Sequence, residues 1–344
     1  MIELLKTITR RPLTEPEAAA AMRTIMRGEA TGSQIAGFAL AVTVRGTSVD
    51  DLTGMARAAQ EFATPVPFDG DVLDTCGTGG DGLNTFNIST ASAIVAAACG
   101  TRVAKHGNRS ASSACGSADV LEELGVRIDL GPRAAAACLA ATGITFLFAP
   151  EFHPAFRYTA APRRELGART VFNLLGPLCH PSGARLRTLG VPSADLVEPM
   201  AEVLARLGAR RAMVFHSEDG MDELSTGAPA RVVELLPDGS RDAYRFDPAR
   251  LGLRPYTPAD LAGGDRTVNA AIIRRVLAGE PGPAREAVLL NAAAALRVAG
   301  TADSWPAALG LVARALDRGD AEALLARWAT VSRQLAGAEL EVSA

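Results

Sequence analysis

Residues 74–90 read D-T-C-G-T-G-G-D-G-L-N-T-F-N-I-S-T, and residues 103–117 read V-A-K-H-G-N-R-S-A-S-S-A-C-G-S. Each follows a short apolar run and opens into glycines and small hydroxyls. Asp81, Thr85, Asn87, Ser89, Thr90, Lys105, His106, Asn108 and Arg109 supply more polar groups than a plain turn uses. Glycines let backbone N–H groups approach an anion closely. Asn87, Ser89 and Thr90 stand where a helix begins, and a helix N-terminus favours phosphate. Thr85 and Asp81 add side-chain hydrogen bonds, and Lys105 adds a point charge. The pair of loops therefore reads as a site for a phosphorylated ligand.

Around these loops, strands and helices alternate. Strands are expected over 72–74, 102–104, 144–148, 186–191 and 212–215, with helices over 89–99, 132–142 and 193–207 between them. Ser117 is expected to cap a helix ended by Gly125. Residues 231–236 and 242–246, joined by P-D-G-S, read as a β-hairpin, and 269–336 as helix broken at Gly282-Pro283. This alternation predicts an α/β fold: a mainly parallel sheet flanked by helices.

Residues 1–68 differ, because they read as helix throughout. Thr14 with Glu17 forms a capping box with Pro16 in the first turn, 33–44 is apolar on most sides, and Ser48 with Asp51 opens a further helix. Two prolines in T-P-V-P-F-D-G, 64–70, end this unit. The alternation breaks again over 153–180, where the chain is expected to return to the helical unit. A smaller all-helical domain of 1–68 plus about 163–185, beside a larger α/β domain of 70–162 and 186–344, follows.

A net charge of −3 argues against a broad nucleic-acid or membrane footprint. No apolar stretch is long enough for a membrane span, and no signal peptide is visible. Cys76, Cys99, Cys115, Cys138 and Cys179 are odd in number and include no C-x-x-C pair. That pattern fits neither a disulfide framework nor a zinc site, and a cytoplasmic location is expected.

Gly77, Gly79 and Gly82 satisfy G-x-G-x-x-G, the dinucleotide fingerprint. That reading wants a carboxylate after the second strand, where this chain has Lys105-His106, and its helix starts too late. No G-K-[ST] follows, which excludes a P-loop.

With both loops read, the chain resembles the anthranilate phosphoribosyltransferases. The motifs are G-T-G-G-D at 77–81, T-F-N-I-S-T at 85–90, K-H-G-N-R-S at 105–110 and G-S-A-D-V-L-E-E-L-G at 116–125. F-A-P-x-x-H-P-A at 148–155, R-R-E-L-G at 163–167, F-N-L-L-G-P-L at 172–178, D-G-M-D-E at 219–223 and L-L-N-A-A-A-A-L at 289–296 continue the series. The resemblance implies the nucleoside phosphorylase and phosphoribosyltransferase type of fold. It also implies transfer of a phosphoribosyl group from phosphoribosyl pyrophosphate to anthranilate, in tryptophan biosynthesis. The partners implied are those two substrates and a second copy of the chain in a homodimer.

By the same resemblance, the donor positions fall on Gly77, Gly80, Asp81, Thr85, Asn87, Ser89, Thr90, Lys105, Asn108 and Ser117. Anthranilate positions fall on Gly77, Asn108 and Arg163, with His106, Pro150, His153 and Phe156 lining its route. Mg²⁺, two ions per subunit, falls on Ser89, Asp222 and Glu223, which suits a hard cation held by few carboxylates and substrate oxygens. No covalent nucleophile is expected, and Cys76 and Cys115 read as packing residues. Arg109 reads equally well as a structural ion-pair partner.

Pro162 stands where the family has an aliphatic residue, and Cys179-His180-Pro181 replaces its polar residue–asparagine–proline. Two other readings share the fold. A pyrimidine nucleoside phosphorylase is disfavoured by Asp222-Glu223 beside an intact T-F-N-I-S-T. A nucleic-acid-binding paralogue is disfavoured by the presence of Asn108 and Arg163 and by the negative charge.

Overall fold

A computed structural model describes residues 1–68, 70–110 and 114–343. Four helices open the chain: α1 (Ile2–Ile8), α2 (Glu15–Met26), α3 (Gly32–Arg45) and α4 (Val49–Gln60). Local signals start them. The Thr14 N–H donates to Glu17 Oε2 at 2.9 Å, and Ser48 Oγ accepts from the Asp51 N–H at 3.1 Å while Asp51 Oδ2 accepts from the Ser48 N–H. A third capping box, Thr31 with Gln34, starts α3 one residue before the expected position.

The strands β1 (Leu73–Gly77), β2 (Val103–Gly107), β3 (Ile144–Phe148), β4 (Leu186–Gly190) and β5 (Arg211–Ser217) are parallel. A hairpin of β6 (Ala230–Leu235) and β7 (Arg241–Phe246) adds antiparallel to β5, giving the order β3-β2-β1-β4-β5-β6-β7. The apolar signal of β1 stops at Asp74, yet pairing runs on through Cys76↔Leu189 and Gly77↔Gly190, because β4 supplies partners that far. Buried on both faces, such strands follow the rule for parallel sheets.

Between β1 and β2 runs α5 (Ile88–Ala98), and after β2 come α6 (Ser117–Glu123) and α7 (Pro132–Thr142). Ser117 is the first residue of α6 rather than its cap. Gly116 takes the cap position, and its N–H donates to Asp119 Oδ2 at 2.9 Å. Beyond β3 lie α8 (Ala149–Phe152), α9 (Arg157–Leu166) and α10 (Phe172–Leu175). Here the chain packs on the opening helices. Ala155, Phe172 and Leu175 share one apolar cluster with Phe38, Leu52 and Met55, and the Val171 N–H donates to Thr43 Oγ1 at 3.0 Å.

That cluster continues through α11 (Val197–Arg206) onto one face of the sheet. Against the opposite face pack α5 and α13 (Pro283–Ala299), and over these two helices lie α12 (Arg266–Leu277), α14 (Trp305–Asp317) and α15 (Asp320–Ser343). Among the described residues no helix is long and apolar enough to cross a membrane. The strand order reverses direction at β1, which has β2 on one side and β4 on the other. In open α/β sheets ligands bind outside the carboxyl ends of strands at such a point.

Candidate active site

The carboxyl ends of β1 and β4 meet at Gly77 and Gly190, and Asp222 is wedged against both. A Cβ on Gly77 would lie 2.5 Å from Asp222 Oδ2, and one on Gly190 would overlap the Asp222 carbonyl. Glycine at both positions is what lets the acid reach the end of the strand. Asp222 Oδ2 also accepts the Gly79 N–H at 2.8 Å, so the first glycine loop is tied to the Asp222 segment. The Asn291 side chain on α13 holds that segment. Its Oδ1 accepts from the Leu224 N–H at 3.0 Å, and its Nδ2 donates to the Leu224 carbonyl at 2.9 Å.

Asp81, Asp222 and Glu223 present ligand oxygens within 4.8 Å of one another. Burial, followed by the neighbouring carboxylates, pushes the Asp222 and Glu223 carboxyls above their ordinary range. Asp81 Oδ2 and Glu223 Oε2 are buried without a hydrogen-bond partner among the described residues. Crowded acids with unpartnered oxygens, next to a phosphate-type loop, form a donor set for a hard cation such as Mg²⁺. Gly77, Ser89, Asp222 and Glu223 line one small cavity of about 20 Å³. Asp81 thus joins the two acids that the sequence singled out, a placement that sequence spacing alone did not reveal.

Lys105 lies almost fully buried beside this cavity, and its Nζ donates to the Thr75 carbonyl at 2.6 Å and to Ser89 Oγ at 3.3 Å. Burial lowers its pKa, while Asp74 opposes that shift. Asn87 flanks α5 without capping it. Its Nδ2 donates to the Cys115 carbonyl at 3.1 Å, and its Oδ1 accepts from Asn269 Nδ2 at 2.9 Å. The backbone of Thr85 bridges to Ala262, so this loop is stitched to the segment before α12. Thr90 is buried, and its Oγ1 has no hydrogen-bond partner among the described residues.

In the second loop, Asn108 is exposed, with its Oδ1 accepting from the Arg109 N–H at 2.7 Å. Ser117 Oγ donates to the Asn108 carbonyl at 3.3 Å. Arg109 turns away to Asp119 and Glu122, at 3.0 and 2.6 Å, and is a structural ion-pair residue. Ser112 and Ser113 of the K-H-G-N-R-S-A-S-S run lie outside the described residues.

The residues expected on the acceptor side gather in part. The ring of His106 lies 5.2 Å from that of His153, and His153 lies 5.7 Å from Phe156. His180, noted only as a departure in the sequence, packs its ring 5.9 Å from His106. Its Nε2–H donates to the Ala104 carbonyl at 2.7 Å, so it belongs to this cluster. Desolvation lowers the pKa of all three histidines, to about 4 for His153 and about 3 for His180. Pro150 is exposed in the first turn of α8. Arg163 sits half-buried on α9 with no ion-pair partner among the described residues, and burial lowers its pKa. No hydrogen bond among the described residues joins Pro150 or Arg163 to either loop.

Four residues escaped the sequence reading: Gly190, Asn291, His180 in its role against His106, and Arg169. The Arg169 Nη2 donates to the Gly79 carbonyl at 2.8 Å and to the Thr78 carbonyl at 3.3 Å. Asn291 lies inside the L-L-N-A-A-A-A-L motif, where a lone polar residue on an apolar helix was the available signal. Gly190 and Arg169 carried no local signal, because their partners are remote in sequence.

A family model described as glycosyl transferase family, a/b domain, matches residues 69–322, and one described as glycosyl transferase family, helical bundle domain, matches residues 3–63. The chain is 77% identical over 327 residues to anthranilate phosphoribosyltransferase 2 of Streptomyces coelicolor, covering 95% of this chain and 97% of the relative. It is 52% identical to the anthranilate phosphoribosyltransferase of Moorella thermoacetica, covering 94% and 95%. Among solved structures, the anthranilate phosphoribosyltransferase of Thermus thermophilus aligns with a TM-score of 0.90 at 45% identity, covering 97% of this chain and 100% of that one. The Saccharomyces cerevisiae enzyme in complex with PRPP and Mg aligns at 0.89 with 25% identity, covering 97% and 98%.

Proposed function

The chain belongs to the anthranilate phosphoribosyltransferase family, and we propose that it transfers the phosphoribosyl group of phosphoribosyl pyrophosphate to the amine of anthranilate. The products are N-(5-phosphoribosyl)anthranilate and pyrophosphate, in tryptophan biosynthesis. The observation that carries this is the convergence of Asp81, Asp222 and Glu223 with Ser89 and Lys105 at the switch point of the sheet.

In this reading Gly77, Gly80, Asp81, Thr85, Asn87, Ser89, Thr90, Lys105, Asn108 and Ser117 hold the donor. Ser89, Asp222 and Glu223 hold Mg²⁺, two ions per subunit, with Asp81 close enough to join them. Bound there, the metal supplies positive charge to the leaving pyrophosphate. Lys105 brings a further charge to the same end of β1, and the backbone N–H groups of the glycine loop add fixed dipoles. Gly77, Asn108 and Arg163 hold anthranilate, and His106, Pro150, His153 and Phe156 line its route. A half-buried guanidinium at Arg163, without an ion-pair partner among the described residues, suits a bidentate pair with a carboxylate.

The acceptor amine is a usable nucleophile without a strong base, so the residues act chiefly by positioning. No side chain is assigned a covalent role. Burial pushes the Cys76 thiol up to about 12, which leaves it protonated at neutral pH. We assign the helical domain to 1–68 with about 163–185, and the α/β domain to 70–162 and 186–344. A homodimer through the helical domain is supported by apolar side chains left exposed on α1 and α3: Ile2, Leu40 and Val44. The cytoplasm is the compartment proposed.

Anthranilate fluorescence tests the reading. Adding phosphoribosyl pyrophosphate with Mg²⁺ should extinguish it, and withholding Mg²⁺ should preserve it. An unchanged signal with folded protein would overturn the assignment.

A further inference from the structure

Arg169 lies in the stretch between α9 and α10, a few residues after Arg163. That stretch is fastened to the helical bundle, since the Val171 N–H donates to Thr43 Oγ1 on α3 at 3.0 Å. The Thr170 N–H donates to Asn173 Oδ1 at 2.9 Å. From there Arg169 reaches the first glycine loop and donates to two consecutive carbonyls, those of Thr78 and Gly79. Its guanidinium packs so closely on Gly80 that a Cβ there would fall onto it. No carboxylate pairs with Arg169 among the described residues.

A trans peptide points its N–H opposite to its C=O. The Thr78 carbonyl faces Arg169 while the next N–H, that of Gly79, is accepted by Asp222 Oδ2 at 2.8 Å. The Gly79 carbonyl faces Arg169 as well, so the Gly80 N–H is directed away from the guanidinium. Gly79 and Gly80 both adopt positive φ, 62° and 91°, a region open to glycine. Two such residues in succession give the peptide between them little intrinsic preference for one orientation. A charged donor on two carbonyls supplies that preference.

We propose that Arg169 is a positioning residue for the phosphoribosyl pyrophosphate loop. It holds the Gly79–Gly80 peptide with its N–H towards the donor, and it couples the donor loop to the segment that carries Arg163. The proposal rests on the donor reading given above.

The experiment compares wild type with Arg169→Ala and Arg169→Lys. It measures KM for each substrate, kcat, donor binding by calorimetry with Mg²⁺ but without anthranilate, and Tm. For Arg169→Ala, donor KM and donor Kd should rise about tenfold or more, the size of losing a charged hydrogen bond, with anthranilate KM within about twofold. Tm should hold within about 1 °C, because the side chain is exposed. Arg169→Lys, which keeps one charge without the planar fork, should recover part of the donor affinity. Unchanged donor KM and Kd in Arg169→Ala would overturn the proposal. So would both KM values rising together with a fall in Tm, which marks general disruption. Wild-type protein without turnover would instead overturn the donor reading itself.

Discussion

Asp74 on β1 and Arg187 on β4, partners in register, form an ion pair at 3.2 Å with both side chains almost fully excluded from solvent. Asp74 Oδ1 also accepts the His106 N–H at 3.1 Å, and Arg187 donates to the Pro177 carbonyl. The pair thus ties β1, β4, the end of β2 and the turn before β4 beneath the site. Breaking a buried pair from one side leaves the other charge uncompensated, at about 3–5 kcal/mol. Arg187→Met should lose stability on that scale in urea unfolding. The double variant Asp74→Asn with Arg187→Met should regain part of it, and a double variant no better than the single would show that the charge is not the cause.

Asn291 acts on the acids at one remove, by pinning both backbone groups of Leu224 immediately after Glu223. Residues that orient metal-binding groups typically carry about 10- to 100-fold in metal affinity or activity. Asn291→Ala should raise the Mg²⁺ concentration for half-maximal turnover about tenfold, with far less effect on anthranilate KM. A Mg²⁺ titration of the fluorescence assay reads this directly. An unshifted midpoint would remove Asn291 from the support of Asp222 and Glu223.

Arg163 is a half-buried cation without an ion-pair partner among the described residues, so its charge is available to a ligand. A charged hydrogen bond contributes about 1.5–3 kcal/mol, which is about 10- to 100-fold in binding. Arg163→Ala should raise anthranilate KM by about that factor and leave donor KM within about twofold. Equal effects on both substrates would dismiss the carboxylate role.

The helical unit was legible because its signals are local. Thr14 with Glu17 and Ser48 with Asp51 each mark a helix start within four residues, whatever the rest of the chain does. The strand–helix alternation was legible for the same reason. The site was legible only as separate pieces. Nothing near Asp81 says that it meets Asp222 and Glu223, because that contact depends on Gly77 and Gly190 ending their strands side by side. Arg169 reads as one more charge on a polar segment until the return of the chain brings it over Gly80. His180 reads as a substitution until its ring is placed against His106. Contacts set by strand register and domain return have no periodicity to announce them.

The histidine cluster makes a last prediction, on pH. His180 accepts the N–H groups of Ser182 and Ala184 at Nδ1, each at 3.3 Å, while its Nε2–H donates to Ala104. A ring so placed has no room for a second proton. Desolvation first, and Arg187 next, hold its pKa at about 3, and desolvation holds His153 at about 4. Unfolded histidine titrates near 6.5, so the unfolded chain takes up protons first as pH falls. The neutral rings therefore contribute stability that is complete above about pH 6.5 and is lost as pH drops towards the folded values. The loss is about 1.4 kcal/mol per pH unit for each ring, or about 2 kcal/mol each at pH 5. Urea unfolding at pH 7, 6 and 5 should show this decline. His180→Asn, which removes one titrating ring, should reduce the total decline between pH 7 and pH 5 by about 2 kcal/mol. A decline identical to wild type would mean that His180 carries its ordinary charge in the folded protein.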